Sequence, residues 1–496
     1  MEPDDDRGME GGPQDPSDEP AVVRVPRPGR ETTLRRYPRT IRRPHRVEVS
    51  LEPAPVRRPV LRLQSLPLLL IAGFASVILI GTILLTLPIS SREGEWTSPF
   101  IALFISTSAV CVTGLVPVDT ATYWSGFGQG LILVLIQFGG LGFMTSATLL
   151  FLLFGWRVGV RGRMFISGSL DTARLGGVVS LTRRALLFTV VSEAIGFVIL
   201  TARFAVDDDL GTAAWRGLFH SVSAFNNAGF DVMGGFRSLE GHADLITLGT
   251  LSALFVVGGI GFLVVEDLRN RSRISLSVDT KLVLRTTAAL IAVGFFVFMV
   301  SEWDATLAGV PLESKVLHSW FHSVTPRTAG FSSLPVSEMN EETQFFTIGL
   351  MFIGGGSGST AGGIKVGTLA VLLAAALSAM RGREHSEATG REIRRADIDR
   401  ALAVAFLGLG IVFAASMLLA VLEDQAFLSV FFETVSAFGT VGLSTGITPE
   451  LSDPGLLLVT VLMFIGRLGP LTLALALAQR THVEHRRLPE ERVRVG

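Results

Sequence analysis

The sequence holds one cysteine, Cys111, so no intrachain disulfide can form. It is short of charge: only 18% of its 496 residues are charged, against 48% hydrophobic, at a mean hydropathy of +0.49. That balance excludes an ordinary soluble domain and points to a polytopic membrane protein. The amino end is long and polar and has no apolar signal-like run, so no cleavable leader is expected before the first span. No Gly-Lys-Ser/Thr follows a glycine-rich loop, because Gly358 to Lys365 ends in Gly-Ile-Lys with Val366 next, and a nucleotide-binding loop is thereby excluded. All eight histidines (45, 220, 242, 318, 322, 385, 482 and 485) fall outside the expected full spans, with His220 and His322 in half-helices. Both are read as supports of those half-helices rather than as titrating groups.

The charge that is present is unevenly placed. Positions 1–20 hold eight acids and four prolines, and positions 24–62 hold twelve arginines. Residues 1–62 cannot bury enough apolar area to offset chain entropy and are expected to be a disordered cytoplasmic tail. The arginine run is read as a solvated segment that fixes orientation, with anionic lipid or a cytoplasmic partner as the sharper alternative.

The rest of the chain repeats itself four times. The expected boundaries are residues 63–160, 161–275, 276–385 and 386–482, with a second cytoplasmic tail at 483–496. Each copy reads as a span, a half-helix, a glycine-ended loop and a second span. First spans are expected at 66–89, 182–204, 282–302 and 401–421. The half-helices are expected from Pro99 to Val110, Trp215 to Phe225, Trp320 to Pro326 and Phe427 to Phe438. Second spans are expected at 129–154, 244–266, 345–378 and 455–478, making eight full spans in all. The loop glycines are Gly114, Gly229, Gly330 and Gly442, an almost even spacing along the chain. Phe104, Phe219 and Phe432 lie ten residues before their glycine and Phe321 nine; Ser106, Ser221 and Thr434 lie eight before and Ser323 seven. A doubled-glycine motif begins at Gly139, Gly258, Gly354 and Gly466, at a similar remove beyond each loop glycine. Two motifs in register across four copies exclude coincidence.

Arginine and lysine collect in the loops that join the repeats, while Glu93, Glu95, Asp207 to Asp209, Glu302, Asp304, Glu423 and Asp424 lie in the opposite loops. The positive-inside rule then places both termini in the cytoplasm and the acidic loops at an outer mouth that concentrates cations. Non-helical backbone at membrane depth is tolerated only where it is buried in protein or lines water. Four such loops around one axis would turn carbonyls inward and replace an ion's hydration shell, with the negative ends of the half-helices behind them. The loops contain no carboxylate, and Arg327 is their one ionisable group. The expected fold is therefore an all-α polytopic membrane protein with four M1–P-loop–M2 repeats, potassium-channel-like, around a pseudo-fourfold pore. The candidate filter residues are Val112, Thr113 and Gly114; Asn226, Asn227, Ala228 and Gly229; Thr328, Ala329 and Gly330; and Thr440, Val441 and Gly442. Asn226 and Asn227 either line the filter or brace it, Glu193 caps or bonds a loop from within its span, and Cys111 packs.

These loops and doubled glycines resemble the Trk/Ktr/HKT superfamily of potassium transporters over about residues 65–480. Eight spans without an extra amino-terminal pair look more like the Ktr pore-forming subunit than TrkH. The resemblance implies potassium uptake across the plasma membrane, since glycine in all four loops goes with potassium and serine in the first with sodium. It further implies a homodimer on a cytoplasmic nucleotide-binding RCK subunit (KtrA- or TrkA-like), sodium as a candidate activating ion, contact with membrane lipid, no resident cofactor and no nucleic acid. The long charged tail departs from the family pattern.

Gly354, Gly355, Gly356, Ser357, Gly358, Ser359, Thr360, Ala361, Gly362 and Gly363 interrupt the second span of repeat three and make a continuous helix there untenable. The resemblance reads this segment, with Lys365, as an intramembrane gate, and Arg467 as an electrostatic barrier beneath the filter. The plainer alternatives are a glycine-rich packing surface and a pairing of Arg467 with Glu433 or another buried acid. A mid-membrane arginine costs roughly 3 kcal/mol or more, so it must face water or a partner. Two rival functions remain: a sodium-coupled or sodium-permeable transporter of the same fold and, remotely, an intramembrane serine protease using Ser357.

Overall fold

The computed structural model describes residues 66–153, 178–270 and 276–469. The chain separates into Met1–Val60 and Leu61–Gly496, and every described residue lies in the second unit. The expected tails at 1–62 and 483–496 fall outside the described residues, as do residues 154–177 between repeats one and two and the part of the expected last span after residue 469.

Four successive sets of a long helix, a short helix, a loop and a second helix make up the fold. The first helices are Leu66–Thr86, Val178–Phe204, Val278–Ser301 and Arg395–Leu422. The short helices are Pro99–Cys111, Leu210–Phe225, Leu312–Val324 and Phe427–Gly439. The second helices are Gly126–Leu153, Leu245–Ile260 continued as Phe262–Asn270, Glu341–Met351 continued as Val366–Met380, and Asp453–Leu468. A two-stranded hairpin, Glu387–Ala388 with Arg391–Glu392, joins the third set to the fourth.

Local chemistry sets the helix starts. Pro99 occupies the first turn of its helix, where a missing N–H costs nothing. Asp209 accepts from Gly211 N and Thr212 N, and its bonds from Thr212 hold its carboxyl below the usual range. Asp244 caps the second helix of set two in the same way and also accepts from Arg203 Nε at 3.0 Å. The third short helix begins at Leu312, not at the expected Trp320. Lys315 explains the difference, because its charge reads as loop in sequence. In the fold its Nζ donates to Trp303 O at 2.8 Å and lies 3.9 Å from the Trp303 ring, so a charged turn is already helical.

The order of packing closes on itself. Each short helix packs on the first helix of its own set, and each second helix packs on the short helix of the next set, the fourth meeting the first. Phe104, Phe219, Phe321 and Phe432 are all fully buried. Glycine makes the close contacts possible. A methyl group at Gly139, Gly258 or Gly466 would fall 2.1, 2.0 or 1.9 Å from the carbonyl oxygen of Val110, Phe225 or Phe438 respectively. Each of those carbonyls lies four residues before its loop glycine. The doubled-glycine motif therefore seats the second helix against the carboxyl end of its own short helix in three of the four sets.

The second helices differ from expectation. Sequence points to one break, in set three, and among the described residues the second helices of sets one and two are interrupted as well. Gly142 (φ 74°, ψ 149°), Gly261 (φ 97°, ψ 142°) and Gly469 (φ 84°, ψ 137°) share one backbone conformation that residues with side chains do not adopt. Each is the fourth residue of its motif, and at Gly261 the two helical pieces are bent by 88°. Among the described residues three helices are long and apolar enough alone to cross a membrane, and the pair bent at Gly261 makes a fourth. Among the described residues, the second helices of sets one, two and three are thus continuous only through a glycine hinge or a loop.

Gly466→Ala should lower the melting temperature of the purified protein clearly, since overpacking costs about 1–3 kcal/mol. Gly349→Ala, with no atom within 4 Å of its added methyl, should not lower it. Equal melting temperatures for the two variants would contradict the seat.

Candidate functional site

The four loops meet. A methyl group at Gly114 would lie 2.5 Å from Ala228 O, and one at Gly229 would lie 3.0 Å from Gly330 Cα. At Gly330 it would lie 2.3 Å from Val441 O, and at Gly442 2.2 Å from Thr113 O. The glycines therefore contact one another in the cyclic order 114, 229, 330, 442 and back to 114, with no room for a Cβ at Gly114, Gly330 or Gly442 and a tight fit for one at Gly229.

Backbone conformation repeats with the contacts. The loop glycines have φ of 94°, 73°, 78° and 94°. Two residues earlier, Val112, Asn227, Thr328 and Thr440 also have positive φ, at 51°, 55°, 71° and 51°. Three of these four are β-branched, for which a left-handed backbone is a true outlier worth about 1–3 kcal/mol of strain each. The residue between them (Thr113, Ala228, Ala329 or Val441) keeps negative φ. Alternation of this kind turns successive carbonyls to the same side of the chain.

One hydroxyl per loop holds this shape, and the sequence pattern alone does not single it out. Ser108 Oγ donates to Leu115 O at 2.8 Å and accepts from Gly114 N at 3.0 Å. Ser223 Oγ donates to Phe230 O at 2.7 Å, Thr325 Oγ1 donates to Phe331 O at 2.6 Å, and Ser436 Oγ accepts from Gly442 N at 3.1 Å. The carbonyls of the same four residues accept from Thr113, Ala228, Ala329 and Val441 N at 2.8–2.9 Å. These hydroxyls stand six residues before the glycine, or five in the shorter third copy. The register that reveals Phe104 and its counterparts contains that signal. The hydroxyls that the sequence does single out work elsewhere: Ser106 Oγ donates to Ile78 O and Ser221 Oγ to Glu193 O, pinning short helices to first helices.

The loop of set three lies against the ring. Gly354 N donates to Ile364 O and Val366 N to Gly355 O, closing its base at 2.8 and 2.9 Å. Gly356 N donates to Gly259 O at 2.8 Å, and Thr360 Oγ1 lies 3.2 Å from Asn227 Oδ1. On its other side, a methyl at Gly362 would fall 2.0 Å from Thr440 Oγ1, and one at Gly363 would fall 3.2 Å from Gly439 O. Arg467 donates one nitrogen to Thr360 O and the other to Gly139 O. The expected alternative partner, Glu433, receives Thr448 Oγ1 instead. Lys365 Nζ donates to Ala361 O and Gly362 O within its own loop. Ser357 and Gly358 are exposed at the loop's tip, and Ser359 is half-buried. Arg327, buried beside the third glycine loop, donates to Thr287 O and Thr287 Oγ1, both at 3.3 Å. Asn226 does not share the position of Asn227: its Nδ2 turns away to Glu193 Oε1 at 2.9 Å and Gln137 Oε1 at 3.0 Å. Cys111 is fully buried in the first core cluster.

The acids expected at an outer mouth are largely engaged. Asp207 pairs with Arg203 at 2.6 Å, Asp208 with Arg216, and Asp209 caps its helix. Glu302 is fully buried and accepts from Asn340 N at 3.0 Å, and Glu423 accepts from Ser452 N at 3.1 Å. Asp231, which no sequence motif marks, lies two residues beyond Gly229. Burial, with Asp119 nearby, pushes its carboxyl up to about 6. Among the described residues no group of three or more His, Cys, Asp or Glu side chains could hold a metal ion.

With this geometry in hand, comparison places the chain. The profile of the TrkH family, described as a cation transport protein, matches residues 68–484. The chain belongs to the TrkH family. It is 41% identical over 435 residues to the Ktr system potassium uptake protein B of Bacillus subtilis, covering 87% of this chain and 96% of that one. It is 39% identical to the potassium/sodium uptake protein NtpJ of Enterococcus hirae, covering 86% and 96%. The potassium transporter TrkH of Vibrio parahaemolyticus shares the fold, with a TM-score of 0.66 at 17% identity over 85% of this chain and 86% of that one. As a TrkH-family member the protein is a multi-pass membrane transporter and not an enzyme, which removes the protease alternative. The two half-helix histidines are engaged elsewhere too: His220 Nδ1 meets Arg216 O at 2.8 Å, and His322 stacks on Phe298 at 4.7 Å.

Ser223→Ala should cost about 1–3 kcal/mol, because it leaves Phe230 O unpaired in a buried loop. Thermal unfolding of the purified protein checks this. A melting temperature equal to that of the parent would mean that the hydroxyl does not hold the loop.

Proposed function

We propose that the four glycine loops are a potassium-selective filter and that the protein takes up potassium across the plasma membrane. The observation that carries this is the closed ring of loop glycines, each with a left-handed residue two positions before it. Four short-helix carboxyl ends converge on the ring, and their dipoles favour a cation there. Carbonyls turned to one side of each loop can replace a hydration shell without any charged ligand. The drive is the membrane potential, about 2.3 kcal/mol per charge per 100 mV. The names of the relatives in Bacillus subtilis and Vibrio parahaemolyticus agree with potassium.

The loop from Gly354 to Lys365 serves in this reading as the gate. It touches Asn227 and Thr440, the strained residues of loops two and four, and Arg467 fastens it to set one. A homodimer docked on a cytoplasmic nucleotide-binding RCK subunit supplies regulation, with both termini cytoplasmic as the arginine distribution indicates. Sodium permeation or activation is the second reading, favoured by the name of the Enterococcus hirae relative. Glycine at all four ring positions argues against it.

Expression of the chain with an RCK partner in cells lacking their own uptake systems should restore rubidium and potassium uptake. Absence of uptake would overturn the reading. Gly114→Ser should raise sodium permeation relative to potassium, because a side chain at φ 94° and 2.5 Å from Ala228 O forces two filter loops apart. Unchanged selectivity would remove Gly114 from the filter. Arg467→Ala should raise flux by freeing Thr360 and Gly139; a flux equal to the parent's would make Arg467 structural only.

A further inference from the structure

We propose that Glu193 is a positioning residue for the second glycine loop and, through Asn226, sets how well the filter distinguishes potassium from sodium. The inference rests on the filter reading above. Glu193 stands in the middle of Val178–Phe204, a helix otherwise built to cross a membrane. A carboxylate at that depth is costly and calls for a partner. Among the described residues no basic side chain lies within ion-pair distance of it. Both oxygens instead accept amide N–H groups: Oε1 from Asn226 Nδ2 at 2.9 Å and Oε2 from Gln137 Nε2 at 3.3 Å. Asn226 Nδ2 also reaches Gln137 Oε1 at 3.0 Å, so the three side chains close a triangle. It draws on three elements: the first helix of set two, the second helix of set one and the end of the second short helix.

The triangle is fitted to its place. Asn226 is fully buried, and a methyl at Gly140 would fall 1.8 Å from its Oδ1, so only glycine there admits the side chain. Ser221 Oγ donates to Glu193 O at 2.6 Å, which ties the same short helix to the same residue a second time. Asn226 ends the short helix, and the next residue is Asn227, held at φ 55°. Asn227 Nδ2 in turn reaches Thr328 Oγ1 at 3.3 Å in loop three, and its Oδ1 faces Thr360 in the set-three loop. The positions equivalent to Asn226 in the other loops are Cys111, Arg327 and Gly439, so loop two alone has an amide clamp. Glu193 fixes the rotamer of Asn226, Asn226 fixes where the helix stops, and the strained residue beside the ring follows.

The test measures inhibition of rubidium uptake by sodium, in cells expressing the full chain with its RCK partner. Glu193→Ala and Asn226→Ala should each lower the preference for rubidium over sodium by about fivefold, the effect of one buried hydrogen bond. The double variant should be no worse than either single one, because both remove the same clamp. Glu193→Gln, which keeps an acceptor for Asn226, should retain most of the preference. Additive losses in the double variant, or unchanged selectivity in both single ones, overturn the proposal. Should Glu193→Ala not fold, Asn226→Ala decides alone: unchanged selectivity in it overturns the proposal. Gly114→Ser in the same assay separates the two levels. A shift there with none in the clamp variants defeats this inference only, whereas no shift at Gly114 defeats the filter reading itself.

Discussion

Four backbone segments can close a ring, main chain against main chain, only if none of them carries a Cβ at the meeting point, and the rest of the fold follows from that constraint. With Val441 O 2.3 Å from where a methyl on Gly330 would stand and Thr113 O 2.2 Å from one on Gly442, any side chain at the meeting point must force the loops apart. The loops reach that distance because each short helix is delivered by its own first helix and, in sets one, two and four, held by a second helix on either side. The glycines of the second helices are the same constraint one layer out. At Gly466, 1.9 Å separates an added methyl from Phe438 O, so the second helix rests on the carbonyls that end the short helix. Hydrophobic transfer supplies little of this order inside a bilayer, where lipid is as apolar as leucine; close packing and satisfied backbone groups supply it.

Intramembrane charge follows an unusual rule in this protein. Arg467, Arg327 and Lys365 are near or within the ring and its adjoining loop, and each donates to backbone carbonyls or to a threonine, not to a carboxylate. Glu193 and Glu433, for their part, accept from amides and a hydroxyl. Separation of this sort keeps the cations tied to irregular backbone, which has carbonyls to spare once a helix is broken. It also lets a loop such as Gly354–Lys365 exist at membrane depth without losing its backbone hydrogen bonds to lipid. On the proposed reading the same feature makes the gate movable, since a bond from Arg467 to Thr360 O can be exchanged for one to water or to another carbonyl.

The fold is legible in sequence to the extent that it repeats. Gly114, Gly229, Gly330 and Gly442 recur at nearly even steps, and Phe104 and its three counterparts keep the same register, so the four sets can be found without any contact information. The break at Gly354–Gly363 is legible because a run of glycine, serine and threonine cannot hide in a span. The hinges at Gly142 and Gly261, and the matching conformation at Gly469, are not, because one glycine at the end of a packing motif has the same appearance whether its φ is negative or positive. The third short helix starts well before the point its apolar pattern suggests, since the pairing of Lys315 with Trp303 is a tertiary event. Ser108, Ser223, Thr325 and Ser436 lie in plain register, yet the hydroxyls two positions earlier stand out just as well. Serine is common in such helices, and only geometry separates the one that folds back on its loop from the one that reaches a neighbouring helix.

Loop two is where the near-fourfold plan gives way. Loops one and four are close to interchangeable: Val112 and Thr440 share a φ of 51°, Gly114 and Gly442 share 94°, and each is held by a serine that accepts the glycine N–H. Loop two replaces the apolar end of its short helix with two consecutive asparagines that point in opposite directions, one to Glu193 and Gln137 and the other to Thr328 and Thr360. The set-three loop meets the ring at Asn227 in loop two and at Thr440 in loop four, and the two contacts differ: a side-chain oxygen faces Thr360 at the first, and a threonine packs on Gly362 at the second. On the proposed reading, asymmetry in the set-three loop therefore goes with asymmetry in the ring. The loop facing Thr360 must offer a polar side chain inward, and a second amide behind it, clamped by a buried carboxylate, keeps that side chain aimed.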